Sequence, residues 1–249
     1  MKLLRILVPA SSAFLLAAAG PALGDTEGAP PGAPCAEGAA SSGGNPCAGN
    51  AGNTGANGNA SDAFVFEDIA VPGATDRGAF ISQIGTGNAA RTDQAGSNAY
   101  SRVIQTGNDN SVSLTQEDGN HHSAIAQDGD ANSVTAQQLG SGETVLLLAQ
   151  QGQQNSAEIS QSESQAIYTA AAIAQNGLGN SLSLIQDGTD NHARLTQTGD
   201  NNAMSATQIG ANNRLDWTQD GNGLSDLQIT QDGGQVMQVT QSNMGAGGN

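Results

Sequence analysis

The chain has 249 residues, of which 34 are glycine and only 3% are aromatic, so large apolar side chains are too thinly spread for a thick globular core. Its formal net charge is -16 and Lys2 is the one lysine, which excludes the cationic surface that nucleic acid or an anionic membrane requires. Three histidines and no nucleophile–base constellation leave nothing that reads as an enzyme, and no cofactor or metal is expected.

Taken in chain order, residues 1–24 read as a secretory signal peptide. Lys2 and Arg5 form the charged start, Val8 to Ala19 the apolar run, and Ala22-Leu23-Gly24 the small-residue cleavage site, with cleavage expected after Gly24. An uncleaved anchor is the competing reading. The apolar run is too short to cross a bilayer comfortably, so the mature chain is expected to have no integral membrane segment. Residues 25–76 form a Gly/Ala/Asn/Pro-rich leader without helical or strand period, expected to be flexible. It holds Cys35 and Cys47, for which export makes a disulfide the better expectation than a metal site or a reactive pair. One island, "AFVFEDIAV" (63–71), reads as a strand or a docking segment.

From 77 to 243 the chain repeats, and 244–249 reads as a short flexible tail. Glutamines fall at 83, 94, 105, 116, 127, 138, 150, 161, 175, 186, 197, 208, 219, 231 and 241, mostly eleven residues apart. Glycine follows two residues later in twelve of these fifteen units, the exceptions being those of Gln116, Gln161 and Gln241. Asparagine follows five later at Asn88, Asn110, Asn132, Asn155, Asn180, Asn191, Asn202 and Asn213. Two before each glutamine the residue is mostly apolar, as at Val103, Leu114, Ile125, Leu148, Ile159, Leu184, Leu195 and Trp217. Four before stand Val112, Val134, Leu146, Leu182, Met204 and Leu215. The residues between are commonly Ser, Thr, Arg, Asp or Gln.

This alternation has period two, the mark of a strand with one buried face. Each unit predicts a strand of five or six residues ending on an inward glutamine. Glycine then permits the turn, and asparagine opens the next strand. Two units make a rung of 22 residues, and stacked rungs place glutamine over glutamine and asparagine over asparagine, so that the amides pair along the stack. The expected fold is all-β, a two-sheet β-solenoid. The unit after Gln161 lacks its glycine and carries three extra residues, which marks the place where the array would kink.

These landmarks resemble those of a known family. Curlin repeats, from the subunits of bacterial curli fibres, follow Ser-x5-Gln-x4-Asn-x5-Gln. The last three landmarks are matched by Gln83, Asn88 and Gln94; Gln105, Asn110 and Gln116; Gln127, Asn132 and Gln138; Gln150, Asn155 and Gln161; Gln175, Asn180 and Gln186; and Gln197, Asn202 and Gln208. Asn191, Asn213 and Gln219 continue the columns. The family serine is replaced by Arg77, Ala99, His121, Thr144, Thr169, Asn191 and Asn213. The resemblance implies a secreted structural subunit that self-assembles into an extracellular amyloid fibre for adhesion and biofilm matrix. It also implies partnership with itself and a homologous curlin subunit, and export through dedicated outer-membrane machinery. An unpolymerised reading stands beside it, as a soluble or cell-attached repeat adhesin or a calcium-binding solenoid.

Calcium-binding solenoids use nine-residue repeats with acidic turns, whereas many turns here hold no acid. Asp187 to Asp190 is the best remaining candidate. Thr196, Thr207, Thr218, Thr230 and Thr240 form one threonine column, without the companion column that an ice-binding face requires. His122 and His192 share one outward slot and are expected to be solvated. Outward residues on one sheet, Ile104, Val145, Leu147, Ala149, Ala170, Ala172 and Ala174, are expected to form an exposed apolar stripe for lateral contact.

Overall fold

A computed structural model describes residues 78–95, 98–163, 165 and 167–243. The expected signal peptide, the leader with Cys35 and Cys47, the 63–71 island and the tail at 244–249 lie outside the described residues. Among the described residues no helix is long and apolar enough to cross a membrane.

The alternating pattern folds as strands throughout. They are β1 (Gly78–Ile84), β2 (Ala89–Gln94), β3 (Tyr100–Thr106), β4 (Ser111–Gln116), β5 (Asn120–Asp130), β6 (Ser133–Leu139), β7 (Glu143–Gln153) and β8 (Ser156–Ser162). Then follow β9 (Thr169–Leu178), β10 (Ser181–Thr189), β11 (His192–Thr198), β12 (Ala203–Ala211), β13 (Arg214–Asp220), β14 (Ile229–Asp232) and β15 (Val236–Ser242). Odd strands stack into one eight-stranded parallel sheet, in the order β1-β3-β5-β7-β9-β11-β13-β15. Even strands form a seven-stranded parallel sheet, β2 to β14. The chain crosses between the sheets at every turn, so neighbours in a sheet are one 22-residue rung apart, as with Gln83 beside Gln105. The molecule is the two-sheet β-solenoid that the period predicts.

One apolar core runs the length of the stack between the sheets. Val103, Ile125, Leu148, Leu195 and Trp217 enter it from the odd sheet, and Leu114, Ile159, Leu184 and Met204 from the even one. Each strand contributes two or three inward side chains, so the core is thin but continuous.

Several strands are longer than expected, with β5 and β7 reaching 11 residues. In-register turns are the cause. Gly129 pairs with Gly152 and Gly152 with Gly177, so ladder pairing continues past the glutamine into the bend. These glycines have no substitute. Gly129 has φ +125°, and a Cβ there would lie 1.9 Å from the carbonyl oxygen of Gly152. The register also survives the insertion after Gln161, with Gln150 paired to Gln175 and Gln175 to Gln197.

Candidate functional site

Two glutamine columns bind the rungs together. In the odd sheet Nε2 donates to the next Oε1 from Gln83 to Gln105 (2.7 Å), Gln105 to Gln127, Gln127 to Gln150 and Gln150 to Gln175 (each 2.8 Å). The line goes on through Gln197 and Gln219 to Gln241. In the even sheet it runs from Gln94 through Gln116, Gln138, Gln161, Gln186 and Gln208 to Gln231. The second amide hydrogen crosses to the opposite sheet, as from Gln105 to Ala89 O (3.1 Å) and from Gln161 to Val145 O (3.1 Å). From Gln94 to Gln219, each glutamine therefore ties its own rung to the next and one sheet to the other. Gln105 to Gln219 and Gln116 to Gln231 are buried, where an amide without partners would be costly.

Asparagine does similar work at the turns between odd and even strands. Asn110 Nδ2 and its backbone N–H both donate to Asn88 Oδ1, and Asn132 does the same to Asn110. Asn155, Asn180 and Asn202 extend the column. Each also donates to the turn-glycine carbonyl of the next rung, as from Asn110 to Gly129 O (2.7 Å). A third line lies outside it, where the side chains of Asn108, Asp130, Asp200 and Asn222 accept from backbone N–H groups one rung back. The sequence marks this line by Asn or Asp three residues after the glutamine, a signal that sequence reasoning passed over.

At the opposite turns the column is mixed: Ala99, His121, Thr144, Thr169, Asn191 and Asn213, all buried. These are the residues standing where the curlin pattern has serine. His121 Nε2 donates to Glu117 O (2.7 Å), which leaves Nδ1 to accept from Thr144 Oγ1 (3.0 Å). Asn213 donates to Asn191 Oδ1 through both its side chain and its backbone. From His121 onward polar ties recur here, more varied in chemistry than those of the asparagine column.

The comparisons agree with this geometry. The curlin associated repeat model matches residues 85–117 and 188–221. Both of these stretches are curlin associated repeats. No curated protein and no solved structure matches the chain. Both matched stretches hold three glutamines at steps of eleven, Gln94 to Gln116 and Gln197 to Gln219. Between the matched stretches lie the steps of twelve (Gln138 to Gln150) and fourteen (Gln161 to Gln175) and two units without the turn glycine, yet the glutamine ladder passes through them unbroken.

The outer face of the odd sheet differs from expectation. Val145, Ala170 and Ala172 are not exposed; they form a second apolar cluster with Leu147 and Tyr168 packed against it. Tyr168 comes from the extra residues after Gln161. Those residues also bring in Glu163, a buried carboxylate that accepts from the N–H of Gln165 (2.7 Å), Thr169 Oγ1 (2.9 Å) and the N–H of Asp190 (3.3 Å). Ile104 and Ala149 are half-buried and Ala174 is exposed, so the stripe is interrupted.

The two outward histidines are likewise not solvated. His122 is 8% exposed, with Nε2 3.9 Å from Glu143 Oε1. His192 is 1% exposed, its ring 5.0 Å from that of Tyr168 and its Nε2 3.5 Å from Asp190 Oδ1. Flanking long side chains and the Tyr168 overhang cover the slot that strand alternation alone assigns to water. Asp190, in the acidic turn that is the calcium candidate, also pairs with Arg214 at 2.8 Å. Among the described residues no three His, Cys, Asp or Glu gather as a metal site.

Proposed function

We propose that this protein is an exported structural subunit that polymerises head to tail into an extracellular, curli-type amyloid fibre serving adhesion and biofilm matrix. The observation that carries the reading is the polarity of the glutamine columns. Every linking Nε2 donates toward the C-terminal rung, so the first rung presents Gln Oε1 acceptors and the last keeps Gln241 to donate onward. In the odd sheet the Gln83 end and the Gln241 end are thus complementary in hydrogen bonding. Both also present strand edges, β1 and β2 at one end and β15 and β14 at the other, with backbone groups that template another strand.

Curlin repeats belong to structural subunits, and the chain's chemistry is that of scaffolding rather than turnover. Its partners in this reading are further copies of itself, a homologous curlin subunit and the outer-membrane machinery that exports it. Purified chain lacking residues 1–24 should polymerise with a lag that seeds abolish, and the fibres should diffract at about 4.7 Å along their axis. A chain that stays monomeric for days at high concentration with added seeds would instead be a soluble or cell-attached repeat adhesin.

A further inference from the structure

In turns that lead from even strands to odd ones, the residue two after the glutamine is glycine with positive φ at Gly140, Gly188, Gly210 and Gly233. Asp118, two after Gln116, holds the same place with φ 67°. Among the described non-glycine residues with positive φ, it is the one followed by glycine. Asp118 is exposed, and the main chain on either side of the Asp118–Gly119 pair is tied. Glu117 N–H donates to Gln138 O and Asn120 N–H to Gly142 O, both at 3.0 Å. Gly119 between them is buried, and its N–H donates to none of the described residues. A buried N–H without a partner is costly. The other described Asp-Gly pairs are held differently. Gly221 N–H donates to Thr198 O (2.9 Å) and Gly233 N–H to Ile209 O (3.0 Å). Gly129 and Gly188 lie inside paired strands, opposite Gly152 and Gly210.

We propose that Asp118–Gly119 is a site of spontaneous succinimide formation, through which Asp118 becomes isoaspartate in the folded chain. Gly119 N attacks Asp118 Cγ, and an N–Cγ bond forms. The N–H hydrogen and one carboxyl oxygen leave as water, with a solvent proton taken up where the carboxyl is ionised. Glycine has no Cβ to hinder the approach. Ring closure also removes the unpartnered donor at Gly119, whereas at Gly221 or Gly233 it must first break a hydrogen bond between rungs. Water then opens the ring. Cleavage at Asp118 Cγ restores aspartate; cleavage at its main-chain carbonyl carbon leaves isoaspartate, with the main chain longer by one carbon. The corner has no slack for that carbon. A Cβ on Gly119 would already lie 2.2 Å from Gly142 O, and the Glu117 carbonyl is held by His121 Nε2 at 2.7 Å. Isoaspartate therefore parts Gly119 from the turn at Gly140 and Gly142, or pulls Glu117 from His121, and loosens the corner between β4 and β5. In the extracellular fibre proposed above the lesion would accumulate with age; the chemistry itself does not require polymerisation.

In the test, the purified chain is aged at high dilution in heavy-oxygen water, folded and in urea. Each Asp-Gly peptide is then mapped for isoaspartate and for incorporated heavy oxygen. The pairs share the same two residues, so differences among them in the folded chain report structure. Folded, Asp118 should convert at least about ten-fold faster than Asp128, Asp187, Asp220 and Asp232, whose following amides are freed only by local opening. In urea it should convert within about three-fold of them. Asp118→Gly supplies the residue that Gly140 and Gly188 provide at this place, and it cannot form the imide. The aged parent should contain a fraction that unfolds at lower urea, in proportion to its isoaspartate at 118, and the aged Asp118→Gly chain should contain none. Conversion at Asp118 no faster than at the other four in the folded chain would overturn the site. Conversion without a weakened fraction would overturn the loosening of the corner.

Discussion

Gln175 Nε2 lies 2.9 Å from Gln197 Oε1, and Gln197 Nε2 lies 2.8 Å from Gln219 Oε1, so one buried side chain satisfies a donor below it and an acceptor above it. Gln197→Ala therefore strands two buried amide groups at once. The expected loss is about 2–5 kcal/mol of folding free energy, since each unsatisfied buried group costs about 1–3 kcal/mol. Outward Thr207→Ala on β12 should stay within about 0.5 kcal/mol. Urea denaturation of the monomer checks both, and equal losses would mean that the glutamine columns do not hold the rungs together.

The turn glycines separate a steric cost from a conformational one. Gly129 and Gly223 both have positive φ, +125° and +65°. A Cβ on Gly129 meets the backbone of Gly152, whereas one on Gly223 meets nothing within 4 Å. Gly223→Ala should cost about 1 kcal/mol, the ordinary penalty for a left-handed alanine. Gly129→Ala should cost more than about 3 kcal/mol, because two stacked backbones must part. Thermal unfolding of the two variants side by side measures the difference.

Most of the fold is legible in the sequence because in-register stacking makes every rung repeat the same constraints. Gln197, Gly199 and Asn202 each occupy a column whose other members stand about 22 residues away, so chain spacing reports spatial contact directly. What escapes this logic departs from the period. Tyr168 has no counterpart in other rungs, so nothing in the repeat says that it packs against Val145 and Ala170. For the same reason period two assigns His122 and His192 to solvent, when neighbours outside their own strands bury them.

Acid should weaken the fold through His121. Burial holds its pKa below the usual 6.5; the Glu117 carbonyl that accepts its Nε2–H opposes this, neighbouring His122 adds to it, and Asp118 opposes it. A depressed histidine pKa means that the unfolded chain takes up the proton first as pH falls. The stability linked to neutral His121 is complete above about pH 6.5 and is lost as pH falls below that toward the lower folded value. His121→Asn puts at this corner the residue that occupies the same column at Asn191 and Asn213. Its urea midpoint should fall less than that of the parent chain between about pH 7.5 and about pH 5. Parallel falls in the two proteins would assign the acid sensitivity to other groups.

The covered face of the odd sheet changes what substitutions there should do. Ala172 is 8% exposed and sits with Val145 and Ala170 beneath Tyr168. Ala172→Lys thus forces a charged side chain into a packed apolar cluster, and should cost at least about 2 kcal/mol unless the Tyr168 segment lifts away. Tyr168→Ala removes the cover while leaving the ladder glutamines untouched. It should lower stability by about 1–3 kcal/mol, at the lower end for a half-buried ring, and should increase binding of a hydrophobic dye as Val145 and Ala170 become accessible. Ala174, exposed on the same strand as Ala172, is the control, and Ala174→Lys should change neither quantity by more than about 0.5 kcal/mol or its equivalent in dye signal. If polymerised Tyr168→Ala chains also bundle more thickly in electron micrographs, the overhang limits sideways association while the strand edges grow. Dye binding in Tyr168→Ala equal to that of the parent chain would show that the cluster stays covered without its tyrosine.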